Sequence, residues 1–81
     1  MNTAALTFTL DHRGRGGTLT VSDGDEDLVC PIELVEGGAF AVHVTARIGT
    51  RRLAPTQRAA VRAALRRWLD QTGRDRWSIE G

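Results

Sequence analysis

The residues able to do chemistry are few. His12 and His43 are the only histidines, Cys30 is the only cysteine, and all eleven basic residues are arginine. With Asp11 and Glu33, the histidines supply the side-chain types of an acid–base or metal site, but their spacing matches no ligand motif. A lone cysteine excludes an intrachain disulfide and any multi-cysteine metal site. The absence of lysine excludes a phosphate-binding-loop lysine and Schiff-base catalysis. No serine–histidine–aspartate pattern, paired-carboxylate motif or nucleophile elbow is visible. The expectation is a chain without enzymatic activity, cofactor or metal.

The arginines remain. Residues 1–46 carry Arg13 and Arg15 against seven acids, a net −5, and residues 47–81 carry nine arginines against Asp70, Asp75 and Glu80, a net +6. Either the two halves pack together and neutralise each other, or the second half turns a basic surface toward a partner. Arg58, Arg62 and Arg66 recur every four residues, which sets them along one flank of a helix, with Arg67 on the other flank. Arg51 and Arg52 lie just upstream. These six are the candidate partner-binding residues, because guanidinium groups grip carboxylates or phosphates through paired hydrogen bonds. Arg13-Gly14-Arg15-Gly16-Gly17 has the composition of one arginine–glycine RNA-binding unit. A single copy is weak, and backbone geometry in a hairpin turn is the better explanation of the glycines.

The elements that must position these residues follow from hydrophobic periodicity. Residues 4–10 alternate, with Leu6, Phe8 and Leu10 on one side and Thr7 and Thr9 on the other, as in a half-buried strand. Residues 11–17 read as a loop and 18–22 as a second strand. The Asp-Gly in 23–27 marks an acidic turn. Residues 28–35 form a third strand with Cys30 facing inward, and Pro31 predicts a free side or a bulge there. Residues 39–48 form the longest strand, with Phe40, Val42, Val44, Ala46 and Ile48 inward. Residues 55–72 have a helical period. Pro55 suits the first turn, Gln57 can reach back to the backbone at the start, and Gly73 can end the helix. Val61, Ala64, Leu65, Trp68 and Thr72 define its core face at 100° per residue, with Trp68 as the largest core block. The tail, 74–81, carries Trp77 and Ile79 and reads as an extra strand or a strap.

Consecutive strands joined by short turns give an antiparallel meander, and one helix is on offer to cover it. The fold class predicted is therefore α+β, a two-layer ββββα domain occupying residues 1–81. At this length the core is small. No apolar run is long enough to span a membrane, and the N-terminus lacks a basic start and a cleavage signature, so a cytoplasmic location is expected. The function expected is that of a small interaction protein, of the size of phage- or mobile-element-encoded inhibitors and adaptors, with a protein as partner. Nucleic-acid binding through the basic helix and the loop before it is the alternative. Val29, Val35 and Ala41 suggest a small apolar patch for a homodimer contact.

Overall fold

The computed structural model describes Met1 to Gly81. The alternating segments become β1 (Thr7–Arg13), β2 (Gly16–Ser22), β3 (Asp27–Leu34) and β4 (Phe40–His43). A short hairpin follows, formed by β5 (Arg47–Ile48) and β6 (Arg51–Arg52). Helix α1 (Pro55–Gln71) and a last strand, β7 (Ser78–Glu80), complete the chain. The main sheet has the order β1-β2-β3-β4-β7, antiparallel from β1 to β4 and parallel where β7 joins β4. The α+β meander with one covering helix is thus the observed fold, and the tail adds a fifth strand.

Register explains why this sheet has one apolar face. Phe8 pairs with Val21, Leu10 with Leu19, Leu19 with Cys30 and Val21 with Leu28. Ile32 pairs with Val42, and Val42 with Ile79. Because side chains alternate along each strand, one such register places all of these residues on the helix side. Leu19, Val21, Leu28, Cys30 and Val42 are fully buried there, beneath Val61, Leu65 and Leu69 of the helix. The opposite face carries the threonines, Thr7, Thr9, Thr18 and Thr20.

The strand limits differ from the periodicity in two places. The glycine-rich segment is not a seven-residue loop. Arg13 pairs with Gly16, so Gly14 and Arg15 form a two-residue turn and His12 lies within β1. The long strand expected over 39–48 is interrupted. The β3–β4 ladder ends at the Ile32–Val42 pair, next to Pro31, which has no N–H to extend it. Pro31 does not leave β3 at an edge, since β2 flanks it continuously on the other side. Beyond His43 the chain leaves the ladder, and β5 and β6 form a separate ribbon anchored by the Leu53 N–H donating to the Ala46 carbonyl at 2.8 Å.

The helix ends are built as the sequence implies. Gln57 Oε1 accepts from the Ala54 N–H at 3.3 Å, which offsets the missing capping oxygen of alanine. At the other end the Arg74 N–H donates to the Leu69 carbonyl at 2.7 Å and the Gly73 N–H to Asp70 at 3.4 Å. This is a Schellman closure, and Gly73 adopts the φ of +77° that it requires. The core face is rotated by roughly 40° from the expected one at 100° per residue. Val61, Leu65 and Leu69 point inward; Thr72 is exposed and Trp68 only half-buried. Trp68 covers the β1 side instead, stacked on Phe8 with ring centroids 5.3 Å apart.

Of the expected apolar contact patch, Ala41 is withdrawn from the surface. Ala41 is 3% exposed, while Val29 and Val35 remain 51% and 37% exposed.

Gly17 is the least replaceable position in the first hairpin. Its φ is +141°, and a Cβ there would fall on the Asp11 carbonyl oxygen of the paired strand. Gly17→Ala should therefore separate β1 from β2 and lower stability by about 2 kcal/mol or more. Urea unfolding of the two proteins measures this; an unchanged midpoint would contradict it.

Candidate partner-binding site

The second half of the chain is basic, and the first half does not neutralise it. Of its arginines, only Arg51 reaches a first-half carboxylate, that of Glu26. Arg66 pairs locally with Asp70 at 3.0 Å. Arg47, Arg52, Arg58, Arg62, Arg67, Arg74 and Arg76 make no ion pair. The acidic turn is engaged chiefly with its own backbone and the N-terminus, Glu26 also pairing with the Met1 ammonium at 3.1 Å. The Asp23 carboxylate accepts from the backbone N–H groups of Asn2 at 2.7 Å, Asp25 at 2.9 Å and Glu26 at 2.7 Å.

Three of the six candidate arginines converge. Arg52 of β6 and Arg58 and Arg62 of α1 line one open cleft of about 440 Å³. Ala46, Leu53, Pro55 and Ala59 line it with Gly81, whose oxygen accepts from Arg62 at 2.6 Å, and no acidic side chain lines it. The hairpin brings Arg52 to the start of the helix because Leu53, 4% exposed, is drawn into the core directly after it. The helix brings Arg58 and Arg62 to the same side because they are one turn apart. Ala59 between them is too small to fill the space. Arg58 Nε is buried and has no hydrogen-bond partner.

The like charges here oppose one another. Arg47 and Arg52 are direct cross-strand partners in the ribbon, and Arg58 and Arg62 are i,i+4 neighbours. Both arrangements are mildly destabilising in the absence of an anion. No acidic residue stands in the first helical turn to offset them.

The other three candidates lie elsewhere. Arg51 is held by Glu26. Arg66 is turned onto the tail, donating to the carbonyls of Trp77 at 2.8 Å, Asp75 at 3.3 Å and Arg74 at 3.4 Å. Arg62 shares this role through the carbonyls of Gly81 at 2.6 Å and Ile79 at 3.5 Å. Arg67 lies on the opposite flank of the helix, beside Trp68. The sequence carries no sign of the Arg62 and Arg66 contacts, because tail carbonyls are present in any chain. Leu53 and Ala59 were equally hard to assign to the cleft, although their small or apolar character next to arginine is a weak signal.

The histidines are separated. The His12 ring packs against Phe40 at 4.4 Å and Trp77 at 5.7 Å, on the helix side of the sheet. His43 is on the other side, 2.8 Å from Glu33 Oε1. No group of three or more histidine, cysteine, aspartate or glutamate side chains is arranged to hold a metal ion. Cys30 is buried, which pushes its thiol pKa up and keeps it in the weakly nucleophilic protonated form. No helix is long and apolar enough to cross a membrane. Comparison with known protein families, with curated proteins and with solved structures found no match to this chain.

Two predictions follow from this geometry. Arg62→Met with Arg66→Met should release β7 while leaving the helix formed, because methionine keeps helix propensity and loses the guanidinium donors. Hydrogen exchange should then accelerate at the Val44 N–H, which donates to the Glu80 carbonyl at 2.8 Å, while the Leu65 amide stays protected. Equal acceleration at both positions would contradict a local role. The second concerns acid. The Asn2 N–H first, then that of Asp25, hold the Asp23 pKa below its ordinary 3.8. The resulting stability is present above 3.8 and is lost as pH falls through the folded value. Between about pH 7 and about pH 2 the parent should lose more stability than Asp23→Ala, as read by urea unfolding. Equal losses would contradict this.

Proposed function

We propose that this protein is a non-enzymatic interaction module that takes an acidic segment of a partner protein into the cleft lined by Arg52, Arg58 and Arg62. One observation carries the reading: Arg52 and Arg58, with no ion pair, converge beside Arg62, which Gly81 holds, on a cleft that no acidic side chain lines. A carboxylate in that cleft would accept charge-assisted hydrogen bonds from more than one guanidinium and would relieve the repulsion between Arg58 and Arg62. Apolar neighbours of the acidic residue would rest on Leu53, Pro55 and Ala59. Small inhibitors and adaptors work by such contacts, and the cytoplasm is the compartment in which we place this one.

A protein segment fits better than nucleic acid. No aromatic residue lines the cleft to stack a base. The acidic turn with Glu26 adjoins Arg51 and opposes a polyanion.

The test compares fluorescence anisotropy of a labelled glutamate-rich peptide containing leucines with that of labelled duplex DNA, at near-physiological salt. The peptide should bind more tightly. Arg52→Glu with Ala59→Glu, both at exposed positions, should weaken the peptide complex about tenfold or more without unfolding the chain. Tighter binding to DNA, with a log–log salt slope of about −0.9 per phosphate contact, would overturn the protein reading in favour of nucleic acid.

A further inference from the structure

We propose that the free edge of β1 and the groove between β1 and α1 receive an extended segment of a partner protein, which adds a strand to the sheet and sets an acidic side chain against Arg67. This site is on the opposite flank of the helix from the arginine cleft and does not depend on it.

The two edges of the main sheet are treated differently. β7 is only three residues long; Arg62 holds its Ile79 carbonyl, and Arg66 holds that of Trp77 just before it. β1 is seven residues long and is paired on one side only, in unbroken register from Thr7–Ser22 to Arg13–Gly16. Its stretch Thr7-Phe8-Thr9-Leu10 contains no charge, proline or bulge, the devices that ordinarily blunt an edge. The unpaired backbone row of β1 is therefore a template for another strand.

Beside that edge lies a groove of about 310 Å³, lined by Ala4, Leu6, Phe8, Ala64, Arg67 and Trp68 among others. A strand added to β1 would lie about 4.8 Å away and present every second side chain to the helix side. Those side chains would meet Phe8 and Trp68, which are half-buried and stacked. Backbone pairing supplies affinity in such a mode, and the pockets for alternate side chains supply selectivity. Ala64 leaves the depth that a larger residue would close.

Charge selects the occupant. Arg67 is exposed, makes no hydrogen bond or ion pair, and borders the groove. An acidic residue of the incoming strand would pair with it. A second copy of this chain, added antiparallel through its own β1, would bring its Arg13–Arg15 turn toward the Arg67 end, where Asp11 offsets Arg13 at 3.2 Å but Arg15 is left as an unpaired cation facing Arg67. A partner strand with alternating apolar residues and a carboxylate meets no such conflict.

A phage-displayed library of random linear ten-residue peptides, selected on the full chain, tests the proposal. Enriched peptides should alternate apolar with β-branched residues and carry Asp or Glu. The synthetic winner should slow amide exchange within Thr7–Arg13 by about tenfold or more. Arg67→Glu should weaken it by about three- to tenfold, and replacing the peptide's acid by lysine should restore binding to that variant. Arg52→Glu should leave the affinity unchanged, which keeps this site distinct from the arginine cleft. The proposal is overturned by failure to enrich any peptide, by winners that leave β1 exchange unaltered, or by indifference to Arg67→Glu. Protection of β1 without peptide, together with a dimer in sedimentation, would assign the edge to a second copy and equally overturn it.

Discussion

One helix has to cover a five-stranded sheet. That mismatch governs the rest of the molecule. A helix with its side chains is about 10–12 Å across, whereas four strand spacings of about 4.8 Å make the sheet some 19 Å wide. The helix can seal the middle strands and no more. Residues beneath it, Leu19, Leu28, Cys30 and Val42, are fully buried, while Leu6 just before the first strand, Phe8 and Leu10 within it and Ile79 of the last are only partly covered. The margins must be closed by long side chains from the helix flanks. Trp68 does this on the β1 side, and the stems of Arg62 and Arg66 on the β7 side.

This accounts for the rotation of the helix. If Trp68 pointed straight into the sheet, its indole would lie over the middle strands, where leucines already fill the space, and the β1 margin would be bare. Turning the helix puts the compact Leu69 at the centre and the large ring at the margin. Arg74, just past the helix end, then lies 5.2 Å from the Trp68 ring centroid and 5.5 Å from that of Trp77. The cation–π contacts tie the helix end to the start of the tail strand. A side chain on the flank is exposed enough for either of two duties, covering the margin or meeting a partner, and the arginines divide between them.

Much of the fold was legible in the sequence, because alternation and helical period are local and repeat many times. Phe8, Leu10, Leu19 and Val21 declare their strands, and Pro55 and Gly73 mark the helix ends. What was not legible depends on pairing. The break after His43 arises where the ladder reaches Pro31 from a neighbouring strand, and no window around His43 contains that information. Leu69 and Trp68 both lie near the apolar arc, and only the width of the sheet decides which turns inward. The six candidate arginines were recognisable as a basic group, yet their separation into cleft, tail and groove could not be read. Arg62 and Arg66 differ from Arg58 in the tail carbonyls they bind, whose positions are fixed by the return of β7 to β4 and not by the residues around them. The convergence of Arg52 with Arg58 likewise requires the ribbon to fold back, with Leu53 as its anchor.

The arginine cleft carries local penalties that the fold alone does not require. Arg47 opposing Arg52 would be relieved by any neutral residue in the ribbon, and the ribbon contributes little else to the core besides Ile48. Arg58 would be less costly as glutamine, since a buried guanidinium nitrogen without an acceptor loses its hydration and gains nothing in return. Arg62, by contrast, is accounted for by its bonds to the tail. The structural work of the flank therefore explains one of the three guanidinium groups around the cleft and leaves Arg52 and Arg58 without an internal role. In a domain with so small a core, repulsion and desolvation of even a kcal/mol or so are a sizeable fraction of the stability. An external anion set against Arg52 and the terminal nitrogens of Arg58 would offset the repulsion, and that imbalance, more than the count of positive charges, distinguishes this surface from an ordinary basic helix face.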